Sequence, residues 1–335
     1  MKLFLPLIVI LFSFLIGFAQ DSLNFATIGE IKRLDPRIDK LIPKDAKIEV
    51  LSSGFIWSEG PAWDKKNDVL LFSDVHRNQV IRWKEGEGKS VFMEPSGYTG
   101  IAPHPGGMGS NGLAFNAEGN LVLCEHGDRR LSVLTPGGGK KTLVDNYKGK
   151  RLNSPNDVCF SANGDLYFTD PSYGLPKQEN DPNKELDFSG VYLLRKSGEL
   201  ILVIRNLQRP NGVCLSPDEK TLYVSNRNDV WLGYMSYPVN EDGLVGAGKK
   251  FYEVTEAAKT EKGGADGIRT DNEGNLWATG PGGVYVFSPK GEILGIVHTG
   301  ERIGNCSFGN DGSVLYITSD TYLCRIQTSV VGKGF

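Results

Sequence analysis

The sequence is poor in the residues that mark several common site types. Its 335 residues include four histidines and five cysteines, and no two cysteines form a close CxxC pair, so zinc-thiolate and redox-motif sites have no support. We expect the cysteines to pack as small apolar residues, although one disulfide, for example Cys306 to Cys324, stays open. No basic tract is present, and 37 lysines and arginines against 40 acidic residues argue against a nucleic acid partner.

Long hydrophobic runs are also missing, except at the N-terminus. Lys2 precedes an apolar run from Leu3 to Phe18, and Gly17 and Ala19 suit cleavage after Ala19. A membrane anchor is the alternative, but the run is shorter than the roughly 20 residues that a span needs. We therefore predict a signal peptide over residues 1–19 and an exported protein, periplasmic or secreted, without stable membrane insertion after cleavage.

What is abundant is glycine and a repeated hairpin. The chain has 42 glycines and 17 prolines, and patterns typical of long amphipathic helices are absent. One pattern recurs in six copies: a short apolar strand, a turn of Gly, Asn or Asp, and a strand rich in aromatic and β-branched residues. The copies are Pro61–Asp74, Gly112–Glu125, Asp157–Asp170, Gly212–Asn226, Gly267–Gly280 and Cys306–Ser319.

The spacing of the copies predicts an all-β fold, a six-bladed β-propeller. The copies lie roughly 40 to 55 residues apart and the segments between them contain further strand-like runs, so each repeat can supply a four-stranded blade. A pair of β-sandwiches would not explain six copies of one hairpin. Lys47–Ser52 is expected to complete the last blade beside Thr321–Ser329, which removes open edges. The predicted organisation is an N-terminal arm (20–46), the propeller (47–329) and a C-terminal tail (330–335).

One polar residue stands at the same phase of every repeat, five residues before the turn. These residues are Glu59, Asn111, Asn156, Asn211, Asp266 and Asn305. Residues at one phase of successive blades approach the propeller axis at one depth. Two confined carboxylates repel each other unless protonated or bound to a cation. An all-oxygen shell favours Ca²⁺ over Zn²⁺ and Mg²⁺. The alternative is that Asn and Asp occur here only as turn formers.

Four ordered motifs resemble the senescence marker protein 30, gluconolactonase and luciferin-regenerating enzyme family, in particular its bacterial gluconolactonase-like members. The motifs are Ser58–Trp63 (SEGPAW), Asn153–Val158 (NSPNDV), Arg209–Val213 (RPNGV) and Ala265–Ile268 (ADGI). The resemblance implies a six-bladed propeller with a divalent cation in its channel and hydrolysis of a sugar lactone such as an aldonolactone. It implies that Glu59, Asn211 and Asp266 bind the metal, with Asn156 as a fourth ligand or a substrate contact.

The resemblance also has a departure. Animal members carry an arginine two residues before the position of Asn156, where this chain has Ser154. The details of sugar binding are therefore expected to differ, and we expect two irregular inserts, Glu94–Ser110 and Pro171–Ser189, to select the substrate.

Lactone hydrolysis needs a polarised carbonyl, a delivered water and a stabilised oxyanion. We expect Asp266 to act as, or to orient, the general base, and His126 to assist as a catalytic residue. The predicted substrate-binding residues are Asn156, Asn111, His104 and Asp157. Two other functions stay open: a non-catalytic propeller that binds a peptide or glycan around a structural ion, and an aryl-ester or phosphotriester hydrolase on the same metal plan.

Overall fold

Six of the seven antiparallel sheets in the described residues correspond to the six predicted blades, and the seventh is a two-stranded hairpin. The computed structural model describes residues 25–104, 106–228 and 230–335, and the predicted signal peptide lies outside these residues. Within the described ranges the helices are four short 3-10 helices: Pro36–Lys40, Val75–Arg77, Gln178–Asn180 and Ala257–Lys259. None of the described helices has the length and apolar character needed to cross a bilayer.

The N-terminal arm adds strands to two blades. Its strands are β1 (Ala26–Thr27) and β2 (Glu30–Arg33), and β3 (Glu49–Ser53) follows them. β1 pairs with β3, and β2 pairs with the outermost strand of the fifth blade. The arm therefore covers sheet edges that would otherwise expose unpaired backbone groups.

The blades follow the chain in order, each from the channel outwards. Blade 1 contains β4 (Ser58–Asp64), β5 (Val69–Asp74), β6 (Gln79–Lys84) and β7 (Gly88–Met93). Blade 2 contains β8 (Ser110–Phe115), β9 (Leu121–Glu125), β10 (Arg130–Leu134) and β11 (Lys140–Val144). A small hairpin follows, β12 (Asn146–Tyr147) and β13 (Lys150–Arg151). Blade 3 contains β14 (Val158–Phe160), β15 (Leu166–Asp170), β16 (Gly190–Leu194) and β17 (Leu200–Ile204).

The second half repeats this plan. Blade 4 contains β18 (Pro210–Leu215), β19 (Thr221–Arg227), β20 (Leu232–Pro238) and β21 (Lys249–Glu253). Blade 5 contains β22 (Ile268–Thr270), β23 (Leu276–Gly280), β24 (Gly283–Phe287) and β25 (Ile293–His298). Blade 6 contains β26 (Asn305–Gly309), β27 (Val314–Ser319) and β28 (Tyr322–Gln327), and β3 pairs with β28. The predicted pairing of the chain ends in one blade is confirmed.

The core lies between neighbouring blades. The stacked rings of Trp63 and Tyr316, 5.5 Å apart, join blades 1 and 6, and the rings of Trp277 and Phe308 meet edge to face between blades 5 and 6. All five cysteines lie in described segments, and none of them is in a disulfide. Four of the five are buried, as expected for small apolar side chains.

Candidate active site

The six phase-equivalent polar residues lie where the innermost strands begin, and all are buried. Glu59, Asn111 and Asn211 are the second residues of β4, β8 and β18, and Asn305 is the first residue of β26. Asn156 and Asp266 lie two residues before β14 and β22. Each of the six is at most 4% exposed. These residues form what we call the polar ring.

Glycines and hydroxyls hold the polar ring together. Gly60, directly after Glu59, has φ 50°, and a Cβ on it would lie 2.0 Å from the Asn111 carbonyl oxygen, so only glycine fits there. Hydroxyls on the second strand of a blade donate to the backbone carbonyl of the next blade's ring residue. Ser73 donates to Asn111 over 2.8 Å, and Ser225 donates to Asp266 over 2.6 Å. The ring backbones are thus fixed to neighbouring blades.

The two acids of the polar ring are buried and close enough to influence each other. Burial raises the pKa of Glu59 to about 7, and the negative charge of Asp157 adds to that rise. Burial also raises the pKa of Asp266 well above its usual range, and the neighbouring Glu59 charge contributes. Arg227 opposes both shifts, with its Nη1 3.5 Å from Asp266 Oδ2. When both acids are ionised, Arg227 therefore compensates their negative charge only in part.

Several ring atoms are available to a ligand. Asp266 Oδ1 and Asn111 Oδ1 are buried and have no hydrogen-bond partner among the described residues. Such orphaned acceptors are costly unless a ligand or water satisfies them. Asn305 differs, because its Oδ1 accepts a hydrogen bond from Cys306 N over 2.9 Å. The structure thus brings Glu59 and Asp266 together, with the Asn211 side chain beside Asp266, and leaves Asn305 in a structural role.

A cavity of about 260 Å³ opens at this end of the propeller. Both inserts line it, the first through Gly106 and Gly107 and the second through Tyr173, Leu175, Pro176 and Gln178. The rest of the wall is formed by Trp57, Val75, His76, Asn111 and His126. The two predicted substrate-selecting inserts therefore reach a common pocket beside the polar ring.

His126 is placed in this pocket as an uncharged group. Its Nδ1 lies 3.2 Å from the Gly107 carbonyl oxygen, so Nδ1 carries the proton and Nε2 is a free acceptor. Nε2 is buried and unpartnered within the described chain. Burial, together with the nearby His104 and His76, lowers the pKa of His126 to about 4. His104 packs its ring 5.0 Å from Tyr98 in the first insert.

Asp157 faces the channel and is already paired. Its Oδ2 accepts a hydrogen bond from Arg269 Nη1 over 3.0 Å, and its Oδ1 accepts one from Nη2 over 3.3 Å. Val158 N and Val213 N donate to the same carboxylate. The structure thus places Asp157 in the interior of the channel with both of its oxygens occupied.

Sequence reasoning missed three residues of the site: Arg227, Tyr173 and Trp57. Arg227 directly follows its copy of the hairpin (Gly212–Asn226), as His126 directly follows Gly112–Glu125. The alignment that singled out His126 could therefore have identified Arg227 as well. Tyr173 has a buried hydroxyl without a partner in the described structure, and it lies beside Asn211 and Asp266. No sequence signal distinguishes Tyr173 from other insert residues.

Ser154 explains how the second insert is held. Its Oγ donates to the Pro171 carbonyl over 2.6 Å and accepts from Gly174 N over 2.9 Å. The serine therefore fixes the backbone on both sides of Tyr173, at Pro171 and at Gly174. Ser154 is fully buried, so its role is to hold the second insert in place.

The donor set of the ring is carboxylate and amide oxygen. No group of three or more histidine, cysteine, aspartate or glutamate side chains in the described residues is arranged to hold a metal ion. The ring offers two acids, and its remaining donors are amides.

The fold and the site define an all-β, six-bladed propeller with a buried polar ring and a small pocket at one end of its channel. A family model described as the SMP-30/Gluconolactonase/LRE-like region matches residues 57–321. The chain therefore belongs to this family, as its motifs predicted.

Two relatives at 30% identity or more agree with this family, and one structure at lower identity agrees in fold. A gluconolactonase from Zymomonas mobilis is 38% identical over 328 residues, covering 94% of this chain and 90% of the relative. The structure of a gluconolactonase from Xanthomonas campestris is similar with a TM-score of 0.79 and 30% identity, covering 91% of this chain and 97% of that one. A calcium-binding regucalcin from Agrobacterium tumefaciens has a TM-score of 0.65 at 19% identity, covering 85% and 94%, and supports the fold alone.

Proposed function

We propose that this protein is a lactonase that opens a sugar lactone, such as an aldonolactone, with a divalent cation held by Glu59, Asn156, Asn211 and Asp266. The likeness to gluconolactonases over most of the chain supports the lactonase class. The observation that carries the cation is the pair of buried carboxylates, Glu59 and Asp266, whose charges lack full compensation within the chain.

The ring residues fit a hard cation. Asp266 Oδ1 and Asn111 Oδ1 are orphaned acceptors, and burial raises the pKa of both acids, so their ionised forms would gain from an added positive charge. Carboxylate and amide oxygens are the donors that Ca²⁺ prefers, and the six ring positions include no histidine or cysteine. Calcium is therefore the ion we propose.

When bound, the cation would polarise the lactone carbonyl and stabilise the developing oxyanion. Asp266 acts as, or orients, the general base for the attacking water through the carboxylate oxygen that the cation leaves free. The C–O bond to water forms, the ring C–O bond breaks, and the proton passes to the ring oxygen that leaves as a hydroxyl.

The pocket residues orient the sugar. The low pKa of His126 keeps its ring uncharged at neutral pH. Since Nδ1 donates to Gly107, Nε2 can accept a hydrogen bond from a substrate hydroxyl or from the attacking water. The hydroxyl of Tyr173 stays protonated, since burial raises its pKa, and it can donate to the substrate. Both inserts reduce the access of bulk water to these groups.

The test is acid release from an aldonolactone by wild type and Asp266→Ala, each with Ca²⁺ and with a chelator. We expect Asp266→Ala to lose about 100-fold or more in kcat, and the chelator to reduce wild type similarly. Asp165→Asn, at the opposite end of the channel where Asp165 pairs with Arg195, is the matched control and should retain wild-type rates. Full activity of Asp266→Ala would remove it from the chemistry, and activity that survives the chelator would remove the cation.

A substrate panel separates the lactonase from the alternatives. Turnover of aryl esters or phosphotriesters in preference to lactones would favour a different hydrolase on this site. Binding of a glycan or peptide without any turnover would favour the non-catalytic propeller.

Export to the periplasm or the medium is also part of the proposal. It is supported by the N-terminal sequence Lys2–Ala19. N-terminal sequencing of the mature protein from fractionated cells tests it, since an intact Met1 in the cytoplasmic fraction would contradict export.

A further inference from the structure

At the two repeat phases one and three residues after the ring position, the described chain has one acidic and one basic side chain, and these two pair with each other. The residue directly after each ring position is glycine in four blades, cysteine in one, and Asp157 in blade 3. The residue three positions after each ring position is alanine, cysteine or phenylalanine in five blades, and Arg269 in blade 5. The residues at this second phase, Ala62, Ala114, Cys159, Cys214, Arg269 and Phe308, line the lower channel.

The geometry commits Asp157 fully to protein partners. Arg269 reaches from blade 5 to form two hydrogen bonds with it, 3.0 and 3.3 Å long, while Arg269 Nη1 also donates to the Ile268 carbonyl over 2.7 Å. Val158 N and Val213 N occupy the remaining lone pairs of the carboxylate. Asp157 is 0% exposed. It therefore contrasts with Asp266, whose Oδ1 has no partner among the described residues.

The charge of Asp157 reaches the polar ring. It acts unfavourably on the ionised forms of both Glu59 and Asp266. Without Arg269, three carboxylates would share one narrow channel, and a cation would meet a third acid directly below the ring. Small uncharged residues at the same phase in most other blades leave Arg269 the space to cross the channel.

We propose that Arg269 is a positioning residue that neutralises Asp157, so that Glu59 and Asp266 alone set the charge that a divalent cation meets. This inference rests on the cation part of the proposed function. If the pair only braced blades 3 and 5, removing either partner would loosen the ring and weaken cation binding in both cases. If Arg269 acts through its charge, removing Arg269 and removing Asp157 should instead shift the affinity for the cation in opposite directions.

The experiment is a calorimetric titration of Ca²⁺ into the intact, chelator-stripped protein. Arg269→Gln adds one negative charge below the ring and should tighten Ca²⁺ binding about tenfold, while Asp157→Asn leaves an unpaired guanidinium and should weaken it about tenfold. The double variant restores neutrality and should return to within about threefold of wild type. Arg269→Lys keeps the charge and should also stay near wild type.

A control double variant separates the effect of charge on Ca²⁺ binding from an effect on folding. Asp165→Asn with Arg195→Gln removes a similar ion pair at the opposite end of blade 3 and should leave Ca²⁺ affinity unchanged. If Arg269→Gln does not fold, weaker binding by Asp157→Asn and its rescue in the double variant still test the inference.

Each outcome is decisive. Absence of Ca²⁺ binding by wild type would overturn the cation part of the proposed function together with this inference. Binding by wild type, with both single variants shifted in the same direction or no rescue in the double variant, would overturn this inference alone.

Discussion

Replacing Glu59 by glutamine should stabilise the metal-free protein at alkaline pH. Burial raises the pKa of Glu59 from 4.5 to about 7, so the folded state holds its proton more tightly than the unfolded chain does. This contribution to stability is fully present below pH 4.5 and is lost as the pH rises through 7. The shift is about 2.5 pH units at 1.36 kcal/mol each, so ionised Glu59 costs about 3 kcal/mol at pH 8.

The glutamine side chain keeps the shape and one acceptor oxygen, so the 3.0 Å hydrogen bond from Gly60 N can remain. In chelator at pH 8, Glu59→Gln should therefore unfold at higher urea than wild type, by up to about 3 kcal/mol, and the difference should vanish near pH 4.5. Adding Ca²⁺ at 100 times its dissociation constant should stabilise wild type by about 2.7 kcal/mol and the variant much less.

The assay is urea unfolding at pH 4.5 and pH 8, with chelator or Ca²⁺, followed by tryptophan fluorescence. Glu87→Gln is the control, because Glu87 is exposed and ion-paired with Arg82 and Lys84 in the same blade. A metal-free Glu59→Gln protein that is less stable than wild type at pH 8 would refute the reasoning, because Glu59 could not then be an undercompensated buried carboxylate.

Three further changes test other parts of the site. As the pH falls from 6.5 to 4, wild type should lose up to about 3 kcal/mol of stability, because the pKa of His126 is lowered to about 4 in the folded state and the unfolded chain takes up the proton first. His126→Gln should not show this loss, and urea unfolding across that pH range checks it. Tyr173→Phe should leave the melting temperature close to that of wild type and raise KM for an aldonolactone about fivefold, since its buried hydroxyl lies in the pocket beside Asn211 and Asp266, where a lactone would reach it; an unchanged KM would contradict this. Ser225→Ala should cost about 1–3 kcal/mol, because it leaves the Asp266 carbonyl and Gly212 N unpaired, and an unshifted urea midpoint would argue against this link between blades.

The six-bladed plan could be predicted because the sequence pattern of one hairpin is short-range and occurs six times. Each hairpin carries its own alternation and turn residues, and the repeat sets the phase at which side chains meet the axis. The polar ring followed from that phase, and the structure places Glu59, Asn211 and Asp266 together. The repeat phase could not show that Asn305 Oδ1 accepts a hydrogen bond from Cys306 N. At any ring position the side chain can bond to the nearby backbone and is then not available to a ligand on the axis.

The pocket could be predicted only in part. The inserts were identified by their irregular composition, but the side chains that they deliver depend on anchors distant in the chain. Tyr173 reaches the ring because Ser154 holds Pro171 and Gly174, and neither contact has a sequence signature. The arm was likewise unreadable, since β1 and β2 are too short to show a strand period and form by pairing with existing blade edges.

The pairing of Asp157 with Arg269 shows what further alignment of the repeats can yield. The partners are 112 residues apart, so no local pattern joins them. At their two channel phases, however, they are the single acid and the single base in the six repeats. A charge confined to a narrow channel is too costly to stay unpaired, and a lone acid and a lone base on facing walls satisfy each other. Charge balance applied to each phase of a propeller therefore predicts contacts between blades that hydrophobic periodicity cannot.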